Sequence, residues 1–305
     1  MKLIDPCGRP VESLRISITQ RCNLNCFYCH KEGERTQGNT EMSPAEIQRI
    51  TEIAASFGIK YVKLTGGEPL IRKDIIEIIK LLKVTPGIKE VSMTTNGVLL
   101  AGRVRELKKA GLTRVNISLD TLMPEKFKKI TSAIALESVI KGIKEAARVG
   151  LRPIKVNMVL LRGINEDEMN NMIDFAKKND LILQIIELES PDQDQIYKTY
   201  HVSLSDIESR LKTMSKKVTV RKMHHRRKYY LQNGGKVEIV RPMHNTEFCK
   251  YCNRIRVTSD GKLKPCLFRA DNLVDILRPI REGASEETLK NLFIESVNRR
   301  EPYFK

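Results

Sequence analysis

Three cysteines lie close together near the amino terminus of the 305-residue chain, at Cys22, Cys26 and Cys29. Their C-x3-C-x2-C spacing follows residues 14–18, where apolar and polar side chains alternate as in a strand. Three thiolates at this density can face one metal centre, which is a better interpretation than three unrelated buried cysteines. The loop after this strand is therefore predicted to bind a metal.

Three kinds of metal site are compatible with this loop. A zinc site would take His30 as a fourth ligand. A c-type haem would attach through the C-x-x-C-H motif that ends at His30. An iron–sulfur cluster would use the three cysteines and leave one iron without a protein ligand.

A second set of three cysteines lies far along the chain, at Cys249, Cys252 and Cys266. Three ligands suit a metal centre that keeps one position open for a substrate. A zinc module would more often have four ligands, and His244 is the candidate for the fourth. Cys7 lies outside both sets and is assigned no role.

Two further motifs could bind ligands. Arg254 and Arg256 are one residue apart, so on a strand they would point to the same side. Guanidinium groups suit phosphates or purine edges through bidentate hydrogen bonds. Residues 66–69, Gly-Gly-Glu-Pro, end another strand-like run, where glycines let the backbone approach a ligand and the Glu68 carboxylate can accept from an amine.

Composition narrows the class of protein. The net charge of +17, from 54 Lys and Arg against 37 Asp and Glu, favours acidic partners. The densest basic run covers residues 221–228, but no nucleic-acid-binding signature accompanies it, so a solvated basic surface is the main interpretation. The sequence lacks a long apolar stretch and an apolar leader, which predicts a cytoplasmic protein without membrane contact. That setting disfavours c-type haem and disulfides.

The elements that position these motifs alternate between strand and helix patterns. Six such units end near residue 190, whereas a full eight-unit barrel needs about 250 residues. The expected fold is α/β, an incomplete (βα)6 TIM-like barrel over residues 1–200 with a C-terminal extension over residues 201–305. A loop is expected at 190–200, at the end of the barrel region, and the extension is expected to hold a hairpin around Asn233-Gly234-Gly235 and helices near 273–280 and 286–297. The carboxyl ends of barrel strands share one face, so the motifs there indicate an enzyme.

The first cysteine motif and the Gly-Gly-Glu-Pro turn together resemble the radical S-adenosylmethionine superfamily. The resemblance extends to its GTP 3′,8-cyclase (MoaA) family, over residues 15–29, 63–69, 94–97, 116–120, 155–157 and 248–268. It implies a lyase that converts GTP to (8S)-3′,8-cyclo-7,8-dihydroguanosine 5′-triphosphate with a 5′-deoxyadenosyl radical, in molybdenum cofactor biosynthesis. The implied cofactors are two 4Fe–4S clusters and S-adenosylmethionine, and the implied partners are GTP and an electron donor, with a homodimer as one permitted state.

Site residues carry over from the resemblance by position. Cys22, Cys26 and Cys29 would hold the reducing cluster, and Cys249, Cys252 and Cys266 a second cluster in the C-terminal extension. Tyr28, Gly67 and Ser118 would contact S-adenosylmethionine. The residues implied to contact GTP are Arg15, Lys63, Thr94, Lys155, Arg254 and Arg256.

The chain departs from the family at several positions. The family commonly has Met at the position of Glu189, and Arg at the positions of Gln184 and Lys63. It often ends in Gly-Gly, whereas this chain ends in residues 301–305, Glu-Pro-Tyr-Phe-Lys. The alternatives are another radical S-adenosylmethionine enzyme with an auxiliary cluster, and a basic metal-binding module for nucleic acid.

Overall fold

A computed structural model describes residues 2–34, 40–190 and 193–302 of the chain. The six strands of the first part are β1 (Ser13–Ser17), β2 (Tyr61–Thr65), β3 (Glu90–Thr95), β4 (Arg114–Ser118), β5 (Lys155–Leu160) and β6 (Ile182–Glu187). The helices that follow them are α1 (Pro44–Ser56), α2 (Ile75–Val84), α3 (Leu100–Ala110), α4 (Pro124–Thr131), α5 (Leu136–Arg148) and α6 (Met169–Lys178). Each strand pairs in parallel with the next, which confirms the predicted α/β class and incomplete barrel.

The chain after β6 is a mixture of short elements. Its helices are α7 (Gln195–Tyr200), α8 (Ser205–Thr213), α9 (Thr246–Lys250), α10 (Leu277–Arg281) and α11 (Glu286–Asn298). Its strands are β7 (Ser215–Val220), β8 (Arg227–Leu231), β9 (Lys236–Val240), β10 (Arg254–Val257), β11 (Lys262–Lys264) and β12 (Val274–Asp275). The antiparallel pairing of β8 with β9 confirms the predicted hairpin.

The C-terminal strands extend both edges of the barrel sheet. β10 pairs in parallel with β1, and β9 pairs in parallel with β6. Within the described residues, one sheet of twelve strands results, in the order β12-β11-β10-β1-β2-β3-β4-β5-β6-β9-β8-β7. The sequence did not predict this, because a short strand pattern does not say which edge it will pair with.

Local signals explain why the helices begin where they do. Ser43 accepts from the backbone N–H of Glu46, whose carboxylate accepts from Ser43 N–H, so α1 starts with a complete capping box. The apolar faces of α1 and α2 are buried against the outer side of the sheet, as Ile50 and Ile78 illustrate. This packing leaves the inner side of the strands free to form a cavity.

Two expectations for the C-terminal part were wrong. Part of the expected loop at 190–200 is α7, because Asp194 caps it by accepting from the N–H of Tyr197. The expected helix near 273–280 is shorter, because Val274 and Asp275 pair with β11 and only α10 follows. The helix expected near 286–297 is confirmed as α11. The domain boundary at 200/201 falls between α7 and α8 and stays a prediction.

None of the helices that the structure describes combines the length and the apolar character needed to cross a membrane.

Candidate active site

A cavity of about 800 Å³ occupies the inside of the barrel. Alternate residues of the strands line it, for example Arg114, Asn116 and Ser118 of β4, because successive side chains of a strand point to opposite faces. Every residue that the sequence assigned to a cluster, to S-adenosylmethionine or to GTP lies on its wall. Their individual roles stay predictions, but the structure brings them to one place.

The two cysteine sets lie at opposite ends of neighbouring strands. Cys22 follows the carboxyl end of β1, whereas Cys252 precedes the amino end of β10, which runs parallel to β1. The expectation that the functional residues lie at the carboxyl ends of strands is therefore correct for the first cysteine set and wrong for the second. The cavity extends from one set to the other.

The first cysteine loop fits an iron–sulfur cluster. The backbone N–H groups of Leu24 and Lys31 donate to the sulfurs of Cys22 and Cys29, at 3.5 and 3.4 Å. Such hydrogen bonds stabilise thiolates that bind iron and tune the cluster. Burial of the sulfur atoms raises the pKa of all three thiols, and a metal cation beside them would favour the thiolate form.

Gly67 lets the Gly-Gly-Glu-Pro turn approach the cysteine loop. A Cβ on Gly67 would lie 2.3 Å from the carbonyl oxygen of Arg21 and 2.6 Å from that of Gln20. The N–H of Gly67 donates to the carbonyl of Thr19, at 2.7 Å. The residue immediately before Cys22 is thus held by a turn that only glycine can make.

Glu68 does not face the cavity, contrary to the expectation that its carboxylate receives an amine. It is fully buried and accepts from the N–H of Leu70, the hydroxyl of Thr95 and the N–H of Asn96, at 2.6–2.9 Å. Burial raises its pKa against the effect of these donors. Its function is to join the turns that follow β2 and β3, beside the cysteine loop.

Tyr28 is positioned by Asp120, which follows β4. The Tyr28 hydroxyl donates to Asp120 Oδ2 at 2.6 Å, and the backbone N–H of Val159 donates to Oδ1 at 2.8 Å. Burial raises the pKa of Asp120 to about 6, although both donors favour the carboxylate. Ser118 lies on the same strand and lines the same part of the cavity.

The second cysteine set is held by both ends of the chain. Arg9 Nη1 donates to the carbonyl of Cys249 at 3.0 Å, and Arg300 Nη2 donates to the carbonyl of Cys252 at 2.7 Å. Both guanidinium groups also contact buried Asp5, at 2.6 and 3.1 Å. Burial would raise the pKa of the Cys252 thiol, but the charges of Arg300, Arg254 and Arg256 and the backbone N–H of Arg254 together lower it.

The residues proposed as fourth zinc ligands do not complete either set. His244 is exposed and bonds to Gln193, and it does not line the cavity. His30 lies 3.8 Å from Glu189. In the described part of the chain, no three His, Cys, Asp or Glu side chains are arranged to hold a single ion. A 4Fe–4S cluster needs a wider arrangement, since each thiolate binds a different iron.

Three of the cations assigned to GTP form one row across the sheet. Arg256 of β10 is in register with Arg15 of β1, which is in register with Lys63 of β2. Residues in register on parallel strands point to the same face, here the cavity. Burial lowers the pKa of Lys63, and the charges of Arg114 and Arg15 lower it further. This row gathers three basic side chains on one wall of the cavity, and anion binding by them stays a prediction.

Glu32 occupies part of this row. Its Oε1 accepts from Arg15 at 2.5 Å, and its Oε2 accepts from Arg256 at 2.9 Å. Burial alone would raise the pKa of Glu32, but the two arginines lower it to about 2. The carboxylate therefore holds the two guanidinium groups in place from the loop after Cys29.

A second ion-pair group lies across β5 and β9. Lys155 Nζ contacts Glu238 Oε2 at 2.6 Å, and both side chains are buried. Arg221 contacts the same oxygen at 3.3 Å. Gln184, in register with Glu238, also lines the cavity, and so does Glu189.

Sequence reasoning missed several residues of the cavity. Asp120 and Glu32 were overlooked although each lies within four residues of an assigned site residue. Arg221 and Arg226 belong to the basic run that was interpreted as a solvated surface, yet both line the cavity. The density of positive charge in this run was the available signal. Charge density alone does not distinguish side chains that face solvent from side chains that face a cavity.

Comparisons with known proteins agree with this geometry. The family model of the Radical SAM superfamily matches residues 16–176, and that of Molybdenum Cofactor Synthesis C matches residues 181–305. Streptococcus suis SuiB bound to S-adenosylmethionine aligns with a TM-score of 0.66 and 19% identity, over 84% of this chain and 60% of that one. The native protein anSMEcpe with bound AdoMet gives a TM-score of 0.62 and 18% identity, over 85% and 75%. The barrel and its cysteine loop are those of a radical S-adenosylmethionine enzyme, a class that uses a 4Fe–4S cluster and S-adenosylmethionine.

Relatives that align over nearly their whole length identify the family within this class. The "Probable GTP 3′,8-cyclase" of Pyrococcus abyssi is 51% identical over 99% of both chains. The protein of the same name from Methanocaldococcus jannaschii is 50% identical, also over 99% of both. The chain belongs to the GTP 3′,8-cyclase family.

Proposed function

We propose that this chain is a GTP 3′,8-cyclase, which converts GTP to (8S)-3′,8-cyclo-7,8-dihydroguanosine 5′-triphosphate in molybdenum cofactor biosynthesis. The observation that carries the proposal is one cavity that joins both cysteine sets to a row of cations. The name of the full-length relatives and the match to Molybdenum Cofactor Synthesis C support it.

The first part of the site prepares the radical. Cys22, Cys26 and Cys29 would hold a 4Fe–4S cluster, and Tyr28, Gly67 and Ser118 would position S-adenosylmethionine beside it. Together the bound cluster and S-adenosylmethionine supply a carbon-centred radical, which no side chain can supply. The closely packed turn at Gly67 fixes the backbone immediately before Cys22.

The second part of the site binds GTP. Cys249, Cys252 and Cys266 would hold a second 4Fe–4S cluster on the wall of the same cavity. Thr94 and the cations Arg15, Lys63, Lys155, Arg254 and Arg256 contact GTP. A triphosphate carries about four negative charges, which cations in a partly dry cavity attract strongly. Holding the nucleotide at a fixed distance from the first set is the chain's main contribution to rate.

The partners follow from this reaction. GTP is the substrate, and an external electron donor is required. Nucleic acid is not a proposed partner, because much of the densest basic run lines the cavity. A homodimer and a cytoplasmic location stay predictions.

Cysteine variants with a matched control test the proposal. The wild-type protein, reconstituted anaerobically, is expected to hold about eight irons and eight sulfides and to cyclise GTP with S-adenosylmethionine and dithionite. Cys252→Ala should lose about half the iron and the cyclised product, but keep reductive cleavage of S-adenosylmethionine. Cys7→Ala, exposed and outside both sets, should match wild type. A Cys252→Ala protein that cyclises GTP at the wild-type rate would show that the second set has another role.

A further inference from the structure

The segment of residues 221–226, here called the basic segment, connects β7 to β8 and forms part of the cavity wall. Arg221, His224 and Arg226 all line the cavity. Met223 contacts Arg254, whose Nη2 donates to the Met223 sulfur at 3.3 Å. The basic segment therefore touches a residue already assigned to GTP.

The backbone of the basic segment is held in an unusual conformation. His224 and His225 have φ values of 61° and 51°, a left-handed region that residues other than glycine seldom adopt. The His224 ring stacks on Phe248 with centroids 3.9 Å apart, and the backbone N–H of His224 donates to the carbonyl of Tyr251 at 2.8 Å. Strain of this kind persists only where surrounding contacts enforce it, and it concentrates at functional sites.

Most charged side chains of the basic segment have protein partners, whereas one buried donor of Arg226, its Nε, has none among the described residues. Lys222 pairs with Glu12 at 3.0 Å, His225 with Glu247 at 3.1 Å, and Arg221 with Glu238. Arg226 Nε is buried and has no hydrogen-bond partner among residues 2–34, 40–190 and 193–302. A buried donor of this kind is costly unless a ligand satisfies it.

The charges around Arg226 do not balance. The carboxylate that attracts Arg226 is that of Glu238, which Lys155 and Arg221 already contact. Three cations therefore share one anion, which leaves a surplus of positive charge inside the cavity. A buried surplus of charge is stable only when a counter-charge is supplied.

We propose that Arg226, supported by Arg221, is a further substrate-binding residue, which donates to the phosphate oxygens of GTP from the part of the cavity wall that the basic segment forms. The inference rests on the proposed function. Phosphate is the group that fits, because guanine and ribose are neutral and would leave the surplus charge uncompensated. The forked guanidinium matches phosphate geometry.

Binding measurements with a neighbouring control test this residue. The probes are GTP, guanosine and inorganic triphosphate, added anaerobically to reconstituted protein in equilibrium dialysis. Arg226→Gln is expected to raise the Kd of GTP and of triphosphate by roughly 10- to 100-fold, and that of guanosine by about twofold or less. Arg226→Lys, which keeps the charge but not the fork, should fall in between. Arg227→Gln, whose side chain is exposed and faces Glu208, should match wild type.

Each outcome decides between the hypotheses. Equal GTP affinity of Arg226→Gln and wild type, with unchanged melting temperature, overturns the inference. So does an equal loss for GTP and guanosine, because that indicates a general change of shape. If Arg226→Gln does not fold, the same comparison is made with Arg226→Lys, and wild-type affinity there also overturns it. If the wild-type protein binds triphosphate in a way that depends on Arg226 but does not bind GTP, the phosphate site is supported and the proposed function is contradicted.

Discussion

At Gly67, the replacement of one hydrogen atom by a methyl group is expected to have a clear effect on stability. Gly67→Ala is expected to lower stability by about 1–3 kcal/mol, because its Cβ would collide with two carbonyl oxygens beside Cys22. The reconstituted variant should also hold less iron in the first set. Melting temperature and iron content measure both effects.

Gly102→Ala is the matched control for this prediction. Gly102 lies inside α3, and a Cβ there meets nothing within 4 Å. Alanine in a helix interior is favoured over glycine by about 0.5–1 kcal/mol, so this variant should melt at or above the wild-type temperature. If Gly67→Ala has the same melting temperature as Gly102→Ala, the result would contradict the close approach of Gly67 to the carbonyls of Gln20 and Arg21.

Glu238 is the residue whose charge should control stability in acid. Burial raises its pKa, but Lys155, Arg226 and Arg221 together lower it from an ordinary 4.5 to about 2. A carboxylate with a lowered pKa stabilises the fold above its unfolded pKa and loses that contribution as pH falls. Wild-type stability should therefore decrease between about pH 4.5 and pH 2.

Glu238→Gln separates this effect from general acid denaturation. At pH 7 the variant should lose about 3–5 kcal/mol, because Lys155 stays buried beside two arginines. The difference from wild type should shrink as the pH falls through the window given above. Urea unfolding at several pH values measures it, with exposed Glu282→Gln as the control. A difference that is independent of pH would contradict the assignment of the charge.

The sequence predicted the positions of the cysteine sets better than it predicted the contacts of the carboxylates. Cysteine spacing is local, so the two sets could be found by inspection. The partners of Glu68 and Glu32 cannot be found in this way, because Asn96 and Arg256 are 28 and 224 residues away. Whether a carboxylate faces a ligand or its own chain depends on such distant contacts.

At the scale of elements, the turn from Cys249 to Cys252 depends on side chains from both ends of the chain. Arg300→Gln removes the guanidinium that binds the Cys252 carbonyl and Asp5. The reconstituted variant is expected to lose up to about half of its iron, from the second set only. Iron analysis and the rate of S-adenosylmethionine cleavage, which should stay near wild type, measure this.

Arg299→Gln is the control for the element-scale prediction. Arg299 is the preceding residue, but it is exposed and pairs with Glu295 within α11. Its replacement should leave iron content unchanged. If Arg300→Gln keeps full iron content, the turn is held well enough by Arg9 alone.

The strands of the barrel could be predicted because each carries its own alternating or apolar pattern. The pairing of β9 and β10 with the two edges could not, since both edges of the barrel offer the same unpaired backbone groups. The short helix α7 was missed because its sequence is polar and nothing in it is buried.

At the scale of the whole molecule, the barrel depends on the C-terminal region for its edges and part of its core. Residues 1–200 alone would expose the edges of β1 and β6, and Phe57 would lose its contact with Phe293 of α11. We expect this fragment to be aggregation-prone and to lack a cooperative unfolding transition. Expression of residues 1–200 with and without residues 201–305 as a separate chain measures the dependence by solubility and circular dichroism. A soluble, cooperatively folded fragment would instead support two independent domains.

The contacts of the two cysteine loops also set an order of maturation during synthesis. The backbone of the first loop is bound by Ile130 and Thr131, which leave the ribosome early. The second turn needs Arg9 and Arg300, and Arg9 lies 240 residues from Cys249. Contacts this distant form late in folding, because a long chain must close first. The residues that hold the first loop are therefore synthesised well before those that hold the second turn, although the edges of the barrel are completed only by the C-terminal strands.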